Sequence, residues 1–186
     1  MKVKPDYFKK FKNIHKGQSA ILFGSGPTLN EVDFIKIPKD LIHVVLNSQI
    51  KIKEIKKDYY FNGDAGDWDN GLSLANIIEK TKFNCVKFIG LTPLKQNDWE
   101  VQLGRIMNDC IYYDTKRHPS KEIQIKNENG NCKYRIIDFE KDISTELISR
   151  SSSISFDALQ FILYTGISKL YLIGQDNDYK EGAWDQ

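Results

Sequence analysis

Residues Ser19-Ala-Ile-Leu-Phe-Gly-Ser-Gly-Pro-Thr-Leu-Asn-Glu-Val-Asp-Phe34 begin as an apolar run, break at a glycine-rich turn and restart with helical spacing. The pattern predicts a strand, a loop and a helix. Gly24 and Gly26 remove side chains where a ligand would approach the backbone, and Pro27 stiffens the turn. A helix N-terminus here would present free N–H groups and the positive end of its dipole to an anion such as phosphate. The loop is not a dinucleotide fingerprint, because the third glycine of Gly-x-Gly-x-x-Gly falls at Leu29, and no Gly-Lys-Ser/Thr follows to make a P-loop. An ordinary strand-to-helix turn would carry the same residues.

The surrounding chain supports one domain: 186 residues with a hydrophobic fraction of 40% suffice for a single core. A net charge of +2 gives no global field that would demand nucleic acid or a membrane surface. The lysines of Lys9 to Lys16 and Lys51 to Lys57 are interleaved with apolar residues and read as solvated helix faces. Cys85, Cys110 and Cys132 lack Cys-x-x-Cys spacing, which argues against a disulfide framework or zinc site and for a reducing, cytoplasmic setting. No run has the length of a membrane span, and no signal h-region stands at the N-terminus.

Taken in order, residues 5 to 15 place Tyr7, Phe8, Phe11 and Ile14 on one helical face as an N-terminal flank of the sheet. Strands are expected at Leu41–Leu46, Tyr59–Phe61 and Cys85–Ile89, with an extended segment at Cys110–Tyr113 and a short strand at Tyr134–Phe139. Helices are expected at Leu72–Ile78 and across 95 to 108. Residues 114 to 133 are polar and contain an Asn-Gly turn, so they read as a long excursion or hairpin that closes over a site as a lid. Serines ahead of Ile154 supply N-caps for a buried, central helix to Tyr164 that Gly166 ends, and Lys169–Ile173 is a further strand.

Alternating strands and helices give an α/β, Rossmann-like fold: a mostly parallel sheet with helices on both faces, in a single domain. Ligands of such sheets bind outside the carboxyl ends of the strands. Those ends are Gly24-Ser25-Gly26, Asn47, Asn62-Gly-Asp, Gly90-Leu-Thr and Gly174-Gln-Asp176. Glycines and asparagines serve turns as well, but amides at two neighbouring strand ends also offer paired donors and acceptors to a base or sugar. His43, inside a strand, reads as a core residue. His118 lies in the long loop, where it is either a surface residue or a lid-borne acid or base.

Gly24-Ser-Gly-Pro-Thr-Leu29, Val32-Asp-Phe34, Ile37-Pro38, and Asn47 and Asn62 after the next two strands resemble the small bacterial sialyltransferases that build lipooligosaccharide. They also resemble the related capsule and flagellin glycosyltransferase domains. The serine-rich turn at Arg150–Ser153, the helix to Gly166 and the strand to Gly174-x-Asp176 continue the resemblance, and roughly residues 95 to 140 fall outside it. It implies a nucleotide-sugar donor, CMP-linked in the sialyltransferases, and a cell-surface glycan as acceptor, with the enzyme cytoplasmic or at the inner face of the membrane. The turn Gly24, Ser25, Gly26 and Thr28 would lie under the phosphates. Asn47, Asn62, Ser152 and Ser153 would reach the nucleotide or sugar, Gly174 to Asp176 would line the ribose, and Tyr179 would assist the departing phosphate.

Two departures bear on the chemistry. Ser25 replaces an asparagine of the sialyltransferase turn, and no histidine follows Asp176 where those enzymes keep their general base. Asp176 and His118 are the remaining catalytic candidates, and the chain is expected to bind donor better than it transfers sugar. Asp176-Asn-Asp178 and Asp67-Trp-Asp69 match a pattern that holds Mg²⁺ or Mn²⁺, yet the sialyltransferase type needs no metal or other cofactor. A pterin diphosphokinase-like pyrophosphoryl transferase using ATP and Mg²⁺ is one rival reading, and a truncated or degenerate nucleotide-binding domain is the other. Oligomeric state is not fixed by the sequence, a homo-oligomer included.

Overall fold

The computed structural model describes residues 5–63, 84–91, 110–117, 121–127, 130–136, 142–150 and 153–176. The helices expected at Leu72–Ile78 and 95 to 108, the acidic loop around Asp67, and His118, Ser152 and Tyr179 lie outside them. Seven strands form one sheet: β1 (Ser19–Phe23), β2 (Ile42–Leu46), β3 (Tyr59–Asn62), β4 (Val86–Leu91), β5 (Cys110–Arg117), β8 (Ile148–Arg150) and β9 (Lys169–Ile173). Their spatial order is β8-β5-β4-β3-β2-β1-β9, and every neighbouring pair is parallel. The fold is α/β and Rossmann-like. Between β5 and β8 the chain forms an antiparallel hairpin, β6 (Lys121–Asn127) with β7 (Gly130–Ile136). The expected excursion therefore starts later than residue 114, because β5 runs on to Arg117.

Strands β1 to β5 are laid down in one direction, and right-handed crossovers put their connections on one face of the sheet. The chain then reverses, so helix α1 (Ile154–Tyr164), which joins β8 to β9, belongs on the other face. The packing agrees. One face buries Ala20, Leu22, Val44, Leu46, Phe61 and Phe88 under Phe8, Phe11 and the α1 residues Ala158, Phe161 and Ile162. The opposite face buries Ile21, Phe23, Val45, Tyr60 and Ile89 under Leu29, Ile50 and Ile55.

Only one connection among the described residues is an α-helix. The segment after β1 makes two short 3-10 helices, Pro27–Glu31 and Phe34–Lys36, instead of the expected helix. Val32 takes an extended conformation between them, and the Asp33 side chain restarts the second by accepting from the Ile35 N–H at 3.2 Å. The N-terminal flank is also a 3-10 helix, Pro5–Phe11. Its three-residue turn aligns Phe8 with Phe11 on the core and leaves Tyr7 exposed, and Ile14 is exposed because the helix stops at Phe11, unlike the four-residue face read from sequence. Lys57 is half-buried, unlike the solvated face expected of it, while Lys56 stays exposed as expected. Lys56 Nζ donates to the Lys39 and Leu41 carbonyls and Lys57 Nζ to those of Ile52 and Ile55, which closes the loop ahead of β3.

Helix α1 begins where the Ser153 hydroxyl accepts from the Ser155 N–H at 3.3 Å and ends before Gly166, whose φ of +83° suits only glycine. Its C-terminal end is sealed by the N-terminal segment. The N–H groups of Asn13, His15 and Gly17 donate to the carbonyls of Tyr164, Thr165 and Gly166 at 3.1, 3.0 and 3.0 Å. These contacts satisfy acceptors that a helix end otherwise leaves to water.

Candidate functional site

Strand order reverses between β1 and β9, which places a switch point where the Gly24 turn meets the Gly174 turn. The two turns are knitted by backbone bonds: Gly24 N–H donates to Ile173 O and Gly26 N–H to Gly174 O, both at 2.8 Å. Asp176 completes the joint. Its carboxylate accepts from the Thr28 N–H at 2.8 Å and from the Thr28 hydroxyl at 2.6 and 2.7 Å. Leu29 N–H is bonded to Gly26 O at 3.0 Å, and Pro27 has no N–H. Across Gly24 to Leu29, Ser25 alone keeps an N–H without a partner among the described residues.

This geometry gives the glycines a reason different from the one read in the sequence. A Cβ at Gly24 would collide with the Gly174 carbonyl oxygen, and one at Gly26 with the Asp176 carboxylate. The bare α-carbons admit the β9 turn. Nor does a helix N-terminus with free donors stand here, because the 3-10 helix spans five residues and Asp176 takes the Thr28 N–H.

The other expected residues fall in distinct places. Ser25 and Thr28 are exposed at the tip of the turn. Asn47 follows β2 with a φ of +46°, a left-handed conformation that asparagine tolerates better than most residues. Its half-buried amide has no partner among the described residues. Asn62 is fully buried on the same face as Tyr60, because β3 continues to residue 62 and the pleat turns that side chain inward. The Tyr60 hydroxyl is pushed up from its ordinary pKa by burial. Ser153 is exposed at the N-terminus of α1, on the carboxyl-end rim of the sheet. His43 is a core residue as expected, with Nε2 donating to Pro38 O at 2.9 Å and the backbone N–H to Asp58 Oδ2 at 2.8 Å.

Two arrangements escaped the sequence reading. Ser155 Oγ donates to Gln175 Oε1 at 2.8 Å, tying the first turn of α1 to the end of β9. Tyr113 Oη donates to Asp157 Oδ2 at 2.8 Å, and both side chains are buried. The bond and the positive end of α1 offset the desolvation of that carboxylate. Asp157 one turn into a serine-capped helix was the legible half of this pair; Tyr113 was not.

Electrostatically, the described part of the rim carries the Asp176 carboxylate with no ion-pair partner. The Lys12–Asp142, Lys36–Asp33 and Lys56–Asp58 ion pairs lie elsewhere. Among the same residues no group of three or more His, Cys, Asp or Glu could hold a metal ion, and no helix is long and apolar enough to cross a membrane. The chain matches no protein-family model, no curated protein and no solved structure.

Proposed function

We propose that the chain is the nucleotide-binding domain of a sialyltransferase-like glycosyltransferase, which takes a sugar from a nucleotide-sugar donor and delivers it to a cell-surface glycan. The observation that carries this reading is the reversal of strand order at β1 and β9, since open parallel sheets hold ligands in the crevice above such a switch point. Ser25 with its unspent N–H, the unpartnered Asn47 amide and the exposed Ser153 stand along that rim and support it. In this arrangement the nucleoside lies over the turns that follow β1 and β9. The phosphates face Ser153 and the positive end of α1, because the glycine turn has spent its other donors internally. The same dipole would stabilise charge on the departing phosphate. Asp176 is engaged by Thr28, so it serves the joint first and chemistry second.

The test is calorimetric titration with CMP, UDP and ATP, each with and without Mg²⁺, with backbone NMR to locate the response. Binding of CMP or UDP without Mg²⁺, with shifts at Ser25, Asn47 and Ser153, is the expected result. Binding of ATP alone and only with Mg²⁺ would favour the pyrophosphoryl transferase reading, and no binding by any of the three would overturn both.

A further inference from the structure

We infer that strand β9 is an interface for a second copy of this chain, whose own β9 runs antiparallel to it about a two-fold axis near Tyr171. The two edges of the sheet are built differently. At one edge β8 is blunted by its length, three residues ending in Arg150, and a very short strand is one of the ways in which sheets avoid edge pairing. At the other, β9 has five residues, Lys169-Leu-Tyr-Leu-Ile173, in unbroken register with β1 and without proline or bulge. Its outward N–H and C=O groups have no strand partner among the described residues. The side chains beside them are apolar on both faces. Tyr171 is 42% exposed on one, with Lys169 Nζ 4.7 Å from its ring centroid, and Leu172 is 55% exposed on the other.

Charge selects the occupant and its direction. The amino end of β9 is positive, because Lys169 starts the strand and Lys16 packs its backbone against Gly166 just ahead of it. The carboxyl end is negative. Asp176 follows the strand there, and Glu31 ends the 3-10 helix that Asp176 holds through Thr28. None of these four side chains has an ion-pair partner among the described residues. A parallel neighbour of the same polarity would set like charges side by side, whereas an antiparallel copy sets each positive end against a negative one. The edge is thus complementary to itself under a two-fold rotation, as an isologous dimer requires. With Tyr171 at the axis, Leu172 lies beside the partner's Leu170, Lys169 lies beside the partner's Ile173, and the two lysines are kept at opposite ends. Main-chain bonds would carry the affinity, as in other strand additions. The two carboxyl-end rims then point in opposite directions, so neither crevice is turned into the interface.

The experiment is sedimentation velocity on the full chain from about 1 to about 200 µM, for wild type, Leu172→Lys and Lys169→Glu. Wild type should pass from monomer to dimer over that range and stop there, and hydrogen exchange of the β9 amides should slow at the concentrated end. Leu172→Lys places a charge on the apolar face of the seam, and Lys169→Glu sets two negative ends against each other. Each should weaken the dimer at least about tenfold, since a two-fold interface feels every substitution twice. Both side chains are exposed, so the dilute variants should melt with wild type; if Leu172→Lys does not fold, Lys169→Glu decides. A chain that stays monomeric at about 200 µM overturns the interface. So does a dimer that both substitutions leave intact, or one that forms without slowing exchange in β9. Species that keep growing beyond the dimer would overturn the two-fold arrangement, because only a closed contact stops at two copies.

Discussion

Asp176 accepts both the N–H and the hydroxyl of Thr28, two residues 148 positions apart, and so joins the turn after β9 to the 3-10 helix after β1. The joint is stabilising in its own right. Thr28→Val keeps the N–H bond and removes the hydroxyl one, and should cost about 1 kcal/mol by urea unfolding. Asp176→Ala removes both and should cost about 1–2 kcal/mol. A stability unchanged in both variants would show that the contact carries no energy.

Gly26 has a φ of −71°, a backbone conformation open to any residue, so substitution there tests sterics alone. An alanine Cβ would meet the Oδ2, Cγ and Cβ atoms of Asp176. Gly26→Ala should therefore destabilise by about 1–3 kcal/mol, the usual cost of overpacking. In an Asp176→Gly background the colliding atoms are gone and the cost should largely vanish. Additive effects across that double-mutant cycle would mean the turn has another reason for glycine. A bulky residue at Gly26 is for the same reason a poor probe of ligand binding, since it breaks the Thr28 joint first.

Phe161 sits at the centre of the aromatic core, with ring centroids 4.7 Å from Phe88, 4.8 Å from Tyr59, and 5.3 Å from both Phe11 and Phe61. It connects α1, the N-terminal 3-10 helix and two central strands. Phe161→Ala should cost about 3–5 kcal/mol, near the upper end for core truncations. Phe161→Leu should recover more than half of that. Chemical denaturation of the two variants checks both values.

The hairpin β6–β7 pairs only with itself among the described strands, and a lone two-stranded ribbon is marginally stable in water. Its amides should exchange with solvent orders of magnitude faster than those of β1 and β2, whose residues 20–23 and 43–46 are buried. Hydrogen exchange followed by mass spectrometry distinguishes the segments. Slowing of hairpin exchange on adding CMP or UDP would give it the lid role that residues 114 to 133 suggested, and unchanged exchange in the bound state would remove it.

Most of the sheet was legible because each strand is an apolar run cut by glycine or asparagine, and strand polarity then fixes which ends share a rim. Helix α1 was legible for a similar reason: serines cap it, apolar residues fill it, and Gly166 stops it. The 3-10 helices were not. Leu29 and Val32, three apart, satisfy α and 3-10 spacing equally, and only the extended backbone at Val32 breaks the ambiguity. The apolar run ending at Phe61 makes Asn62 a rim donor in sequence, whereas one further residue of pleat carries the amide into the core. The Thr28–Asp176 and Ser155–Gln175 bonds join segments far apart in sequence, and no local pattern announces such pairs.

Asp142 supplies the clearest prediction of pH dependence. Its carboxylate accepts from Lys12 Nζ at 2.6 Å, from the Ser144 hydroxyl at 2.5 Å and from the Ser144 N–H at 3.0 Å. The Lys12 and Ser144 bonds hold its pKa down from 3.8 to about 2, and the same pair raises that of Lys12. A carboxylate depressed in the folded state stabilises it above the unfolded pKa and loses that contribution as pH falls through the folded one. The contribution should therefore be complete near neutral pH and fade between about pH 4 and pH 2. The pair is solvent-exposed, with 53% of the Lys12 and 32% of the Asp142 side chain accessible, so screening keeps the effect small. Asp142→Asn should lower the melting temperature by about 1–3 °C at pH 7 and by only a small part of that at pH 2. At neutral pH, 1 M NaCl should shrink the difference, while leaving the part that comes from capping Ser144. A deficit that persists undiminished at pH 2 would assign the effect to packing at the loop ahead of β8 rather than to the charge of Asp142.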